Sequence, residues 1–164
     1  MCIRDSVMLV PAFTGWGTPH WNPEARGILV GLTRDSNRCH IARAALEGIA
    51  LSVSTLVDLA EQALGHGLGE LAVDGGAAAS DPLLQAQADS TGLTVRRPAS
   101  LESTARGVAL FAGLQAGVVN DLNNLALHRR DGAQLFQPQC DAAERKAWRT
   151  RWDNAVTRSL NWHE

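Results

Sequence analysis

The sequence is short of nearly every feature that announces a special environment. Its 164 residues hold three cysteines, Cys2, Cys39 and Cys140, odd in number and without metal-type spacing. That excludes a disulfide framework and points to free thiols in a reducing compartment. The five histidines are dispersed, none beside a Cys or Asp at ligand spacing, so no metal site is expected. There is no basic cluster and no acidic run, and the formal net charge is only −2, which speaks against nucleic acid or a membrane surface as partner. No apolar stretch is long enough to span a bilayer, and the N-terminus lacks the charged-then-apolar pattern of a signal peptide, so a cytoplasmic chain is expected. Repeats and low-complexity segments are missing too. What remains is ordinary: 45% apolar residues, and a length that makes one domain the default and allows a real core.

One stretch organises the rest. Leu71-Ala72-Val73-Asp74 is a short β-type run ending in an acid, followed by Gly75-Gly76, the small residues Ala77 to Ala79, and a polar helix start at Ser80-Asp81-Pro82. Glycine lets the backbone turn sharply and lets a ligand approach the main chain. A helix that begins right after such a turn aims unpaired N–H groups and positive dipole at that ligand. The functional reading is a nucleotide contact; the plain one is turn chemistry between strand and helix.

Read in order, Val7-Met8-Leu9-Val10 suits a buried strand, while Met1 to Ser6 does not share the pattern of the chain beyond it. Residues 11–23, rich in Gly, Pro and aromatics, form a long defined loop whose Trp and Phe side chains must bury somewhere. It either lines a site or is stapled to the core by Trp16 and Trp21. Gly27 to Leu32 is a second apolar strand, and a helix begins near His40. Its stripe runs Ile41, Ala45, Ile49, Val53, Leu56, Ala60 and Leu64, with Ala42, Leu46, Ala50 and Val57 as a second strip. A helix apolar on two sides packs against a sheet and something else. Gly65-His66-Gly67 ends it. After the opening motif come a helix from about Asp81 to Ser90 stopped by Gly92, a half-exposed strand at residues 93–97, and a helix from about Ser100 to Ala116. The last carries a ridge of small residues fit for tight packing, and Gly117 closes it. A weak helix or turn covers 120–128, and an exposed loop 129–132. Asp141 with Glu144 resembles a capping box. Trp148, Trp152, Val156 and Leu160 share one face of a final helix that docks onto the body. The pattern is α/β, with helices flanking a small mixed sheet.

These residues resemble the C-terminal half of the FGGY carbohydrate kinases, and the glycerol kinases among them in particular. Val10-Pro11-Ala12-Phe13-Thr14-Gly15 with Gly17, Trp21 and Pro23 is similar to the family's loop after a central strand. The stretch from Gly27 through Gly31-Leu32, then His40-Ile41-Ala42-Arg43-Ala44-Ala45-Leu46-Glu47, fits the family's second sequence signature at every defined position. Val73-Asp74-Gly75-Gly76-Ala77 resembles the adenosine-contacting turn of the wider actin-like ATPase superfamily. Glu102 to Gly107, with Ala112-Gly113-Leu114, is similar to the helix beneath that turn. The resemblance runs from about Val7 to the C-terminus, so residues 1–6 are expected to be a non-family stub and 7–164 one actin-like (ribonuclease H-like) lobe ending in a helix.

The resemblance implies ATP-dependent phosphorylation of glycerol to sn-glycerol 3-phosphate with Mg²⁺, in a cytoplasmic enzyme that is homo-oligomeric at full length. Such a transfer needs in-line geometry, neutralised phosphates and a carboxylate to receive the hydroxyl proton. In the family that carboxylate and the acceptor pocket lie upstream, so no catalytic residue is assigned here, and Asp35, Asp74 and Asp89 are not promoted to the role. The residues carried over are nucleotide contacts: Gly75, Gly76, Ala77 and Ser80. Ser80 stands where Asn is usual, Trp16 where a smaller apolar residue is, His20 where Tyr is, and Arg106 where Leu is. Arg106 expects Glu102, one turn earlier, as partner. Thr18-Pro19-His20 is reminiscent of the xylulose kinases, which leaves another sugar or polyol as alternative acceptor. A non-catalytic nucleotide-binding lobe is a third reading.

Overall fold

The computed structural model describes residues 7–119 and 132–162. β1 (Met8–Val10) pairs antiparallel with β2 (Ile28–Val30), Met8 facing Val30. Next come α1 (Arg38–Leu64), β3 (Glu70–Ala72), α2 (Asp81–Thr91), β4 (Thr94–Arg97), α3 (Ser103–Gln115), β5 (Gln134–Phe136) and α4 (Ala142–Ser159). The helix or turn expected over 120–128 lies outside the described residues, as does most of the 129–132 loop.

The strands divide into two sheets rather than one. β3 and β4 run parallel, joined by α2 as the crossover, and β5 adds antiparallel to β4. β5 escapes a sequence reading because three residues are too few to show alternation. Tertiary pairing makes it, with Val95 opposite Phe136 and both buried.

The helix ends obey local chemistry. Asn37 caps α1, its Oδ1 accepting from the Cys39 N–H at 2.9 Å while His40 Nδ1 accepts from the Asn37 N–H at 3.1 Å, so the helix starts two residues ahead of His40. Gly65, at φ 73°, closes it in the left-handed conformation. α4 opens on the expected box, Asp141 Oδ1 accepting from the Glu144 N–H at 2.8 Å.

Two apolar clusters hold the molecule. The first joins β1 and Leu51 of α1 to Trp152, Ala155 and Val156 of α4, with Trp148 and Leu160 against it, so the final helix docks by its expected face. The second gathers Ala78, Leu84, Ala88, Val95 and Phe136. A buried polar seam joins α1 to α2, with Ser54 Oγ donating to Ser90 O at 3.0 Å and Ser90 Oγ to Ala50 O at 3.3 Å. Both hydroxyls are satisfied by main-chain carbonyls, so they cost little in a dry interface.

α1 turns a different face inward from the one its stripe suggests. Its buried residues are Ala44, Gly48, Ala50, Leu51, Ser54 and Val57. The stripe itself looks outward, with Ile41 39%, Ile49 43%, Leu56 50% and Leu64 55% exposed. Small residues face inward because β1 and α2 come very close: a Cβ on Gly48 would lie 2.1 Å from the Leu9 carbonyl oxygen. Periodicity finds the apolar face but not what covers it. Contrary to the sequence expectation, α1 is by length and composition alone long and apolar enough to cross a membrane; a third of that window is buried within the fold.

Candidate functional site

β3 ends at Ala72, and the Val73 N–H still donates sideways to Arg96 O at 3.0 Å. The chain then turns at Gly75, whose φ of 80° and ψ of 175° belong to a region that residues with a Cβ avoid. The Gly75 N–H donates to Leu101 O at 3.0 Å, which ties the turn to the segment just before α3. Residues 76–79 wind one 3-10 turn, in which Ala78 N–H meets Gly75 O at 3.0 Å, and Ser80 N–H meets Ala77 O at 3.1 Å. Ser80 then caps α2, its Oγ accepting from the Leu83 N–H at a long 3.4 Å, with Pro82 in the first turn.

The four residues singled out from the sequence therefore sit together on one turn at the N-terminus of α2. Backbone geometry explains glycine at 75. At 76 neither geometry nor packing does: its φ lies outside the left-handed region, and an added Cβ would meet no heavy atom within 4 Å. Ala77 and Ala79 are exposed while Ala78 is buried. The outer side of the turn is thus bare main chain beside a helix start, a surface able to receive a polar or anionic group.

Sequence reading passed over Arg97, which the structure places beneath this turn. Its Nη1 donates to Ala78 O at 2.9 Å and lies 2.7 Å from Asp81 Oδ1, and its guanidinium stacks 5.2 Å from the centre of the Phe136 ring. One planar cation braces the turn, the first residue of α2 and β5 together. The alternating strand pattern gave its position but no hint of these partners.

The loop at 11–23 is held to the end of α4 and the residues after it through Trp16 and through Asn22, whose Nδ2 donates to Asn161 Oδ1 at 2.5 Å. Trp16 Nε1 donates to Ser159 Oγ at 3.1 Å, and its ring meets Trp152 edge-on at 6.1 Å. Phe13 and Trp21, expected to bury, are 72% and 74% exposed. α3 also departs from expectation: it buries none of its residues, and Val108 and Phe111 are 67% and 69% exposed, so its small-residue ridge is not packed among the described residues. Arg106 is half-buried, and among the described residues no ion pair joins it to Glu102; only the backbone bond from Arg106 N–H to Glu102 O links them.

An open groove of about 870 Å³ lies between α1, α2 and α4, lined on the α2 side from Pro82 to Asp89. Four of the five charged residues that line it take part in pairs or caps of the fold. Arg43 pairs with Glu47, and Asp89 Oδ1 accepts from the Gln139 N–H at 2.6 Å and Gln85 Nε2 at 3.1 Å. We place the candidate site at the turn because its main chain is open and faces a helix N-terminus.

A parallel β3-α2-β4 unit with a glycine turn at the head of its helix fits a nucleotide-binding α/β lobe of the actin-like kind. Residues 4–116 match the model of the FGGY family of carbohydrate kinases, C-terminal domain, and the chain belongs to that family. The glycerol kinase of Rhodopirellula baltica is 49% identical over 161 residues, covering 98% of this chain and 30% of that protein. Among solved structures, Plasmodium falciparum glycerol kinase with ADP superposes with a TM-score of 0.83 at 33% identity, over 96% of this chain and 31% of that one. Xylulose kinase from Rhodospirillum rubrum reaches 0.69 at 23% identity, over 96% and 30%, a likeness of fold. The chain thus spans about a third of the length of the relatives it matches.

Proposed function

We propose that this chain forms the adenosine side of the nucleotide cleft of a glycerol kinase, in which ATP phosphorylates glycerol to sn-glycerol 3-phosphate. The observation that carries the reading is Gly76, a glycine required by neither backbone nor packing, opening onto space beside the start of α2. Gly75 sets the turn, Gly76 and Ala77 let the nucleoside approach the main chain, and Ser80 divides its hydroxyl between capping α2 and the ligand. A serine offers one short hydroxyl where the family's asparagine offers a carbonyl and an amide, so one nucleotide hydrogen bond is weakened. Glycerol is favoured over a pentulose as acceptor because the curated relative is 49% identical while the xylulose kinase likeness is 23%.

Among the described residues no three of His, Cys, Asp or Glu gather as a metal cage. Magnesium would enter on the triphosphate, as part of the substrate. Phosphoryl transfer depends on positioning and charge neutralisation around the phosphates and on a base for the acceptor hydroxyl. This chain contributes binding and orientation; the base belongs to the preceding part of a kinase chain. With ATP, Mg²⁺ and glycerol the chain alone is therefore expected to show no turnover. On the same reading the full-length kinase is cytoplasmic and homo-oligomeric.

ADP titrated into the labelled chain should shift the amide resonances of residues 75–80. Gly76→Leu should remove those shifts without moving the melting midpoint, since no atom lies within 4 Å of the new side chain's root. Shifts confined to other residues, no shifts at all, or undiminished binding by the variant would defeat the assignment.

A further inference from the structure

Main chain and side chain hold different halves of the stretch from Val73 to Asp81 against the stretch from Arg96 to Leu101. Two main-chain bonds, Val73 N–H to Arg96 O and Gly75 N–H to Leu101 O, each at 3.0 Å, fasten the approach to the turn. The far half, beyond Gly76, is reached by the Arg97 side chain. Its Nη1 meets Ala78 O and Asp81 Oδ1, its Nη2 donates to Gln134 Oε1 of β5, and its guanidinium lies over the Phe136 ring. Several acceptors around one rigid plane, with a ring on its face, suit a guanidinium and not an ammonium. The side chain is only 15% exposed, so these bonds are made largely away from water, where they hold more strongly.

The bond to Ala78 O fixes more than one atom. In a planar trans peptide the N–H points opposite to the C=O. Drawing Ala78 O onto Arg97 therefore turns the Ala79 N–H away from it. Ala78 is buried, so without Arg97 this carbonyl would lose its partner, and the peptide would have to swing outward to find water. The 3-10 turn would change shape on the side where Gly76 lies open. The Asp81 carboxylate, drawn in by the same Nη1, would be released to solvent at the first residue of α2.

We propose that Arg97 is the positioning residue of the nucleotide turn: its guanidinium pins the 78–79 peptide and Asp81 to the end of β5, and so keeps the main chain of Gly76 and Ala77 in the shape that receives the nucleoside. Through this one side chain the docking of β5 bears on the turn, although Gln134 lies 37 residues from Arg97 in the chain. The proposal rests on the reading of the turn as a nucleotide contact, but half of its test needs no nucleotide.

The test compares the full 164-residue chain with Arg97→Met, which keeps bulk but offers no donor, and Arg97→Lys, which keeps the charge without the fork. Hydrogen exchange of the ligand-free proteins comes first. Arg97→Met should speed exchange of the Ala78 and Ser80 amides, which are bonded within the turn, at least tenfold, while the amides of β4 keep their protection. Titration with ADP should then show at least tenfold weaker binding by Arg97→Met. Arg97→Lys should fall between the parent and Arg97→Met in both measurements, because it restores the pair with Asp81 but not the full set of bonds. A residue that only stabilised the fold would lower protection in β4 and in the turn alike. Turn amides unchanged in Arg97→Met, protection lost equally across β4 and the turn, undiminished ADP affinity, or another order of the variants would each overturn the proposal. If the parent chain does not bind ADP, the nucleotide reading fails by itself, and the exchange rates decide the role of Arg97.

Discussion

Gly48 marks the place where one hydrogen atom decides whether α1 can touch β1. Alanine there would raise helix propensity by about 1 kcal/mol. Its Cβ, however, would fall 2.1 Å from the Leu9 carbonyl oxygen, a backbone atom that moves only if the strand moves. Overpacking of a close contact costs typically 1–3 kcal/mol, and here the obstacle is main chain, so the steric cost wins. Gly48→Ala is expected to destabilise the chain by about 2 kcal/mol, read as a lower denaturant midpoint with an unchanged slope. A stabilised variant would mean that β1 does not pack where the structure puts it. The sequence offers Gly48 as one more small residue in a helix; nothing local says that a strand lies on it. Gly76 is the reverse case, a glycine whose pattern with Gly75 was legible as a turn and whose open side was not.

Among the elements, the link from β5 to α4 joins parts far apart in the chain through Cys140. Its Sγ donates to Asp89 O at 3.1 Å, and Arg145 of α4 reaches the same carbonyl through Nε at 2.8 Å. Burial pushes the Cys140 thiol above its ordinary value of 9.0; the Asp89 and Glu144 carboxylates push the same way and outweigh the opposing pull of Arg145. The folded state therefore holds this proton more tightly than the unfolded chain does. The stability it lends is whole below pH 9 and is lost as pH rises through the raised value. Since the thiolate is the nucleophile, alkylation of Cys140 in the folded chain should trail that of exposed Cys39 at pH 8, and its rate should still be climbing above pH 9. Equal rates at pH 8 would show that the junction is open. The ends of α1, α2 and α4 were readable from Gly65, Ser80 and Asp141, because caps act over one turn. The partners of Cys140 and the existence of β5 were not, because they come from segments about fifty residues away.

For the molecule as a whole, apolar surface is distributed unevenly. Two clusters are closed, whereas the outer stripe of α1, the exposed side of α3 and the tips of the first loop at Phe13 and Trp21 are open. Exposed apolar area of this extent binds hydrophobic dyes and favours association. The chain alone is expected to enhance 8-anilinonaphthalene-1-sulfonate fluorescence several-fold. Weak dye binding by the free, folded chain would mean that these faces are covered by the chain itself.

The amino-acid sequence by itself determined what acts locally: the order of strands and helices apart from β5, the caps, the glycine turn before α2, and the signature from Gly27 to Glu47 that carries the family. Capping, turn geometry and periodicity are properties of a few neighbouring residues, so they can be read in place. Only the tertiary structure decided that the strands form two sheets, that α1 turns its small residues inward and its large ones out, and that Arg97 braces the turn from below. Each of these depends on which distant segment arrives at a given face. A helix shows that it has an apolar side, but the fold alone determines whether that side is filled or left open.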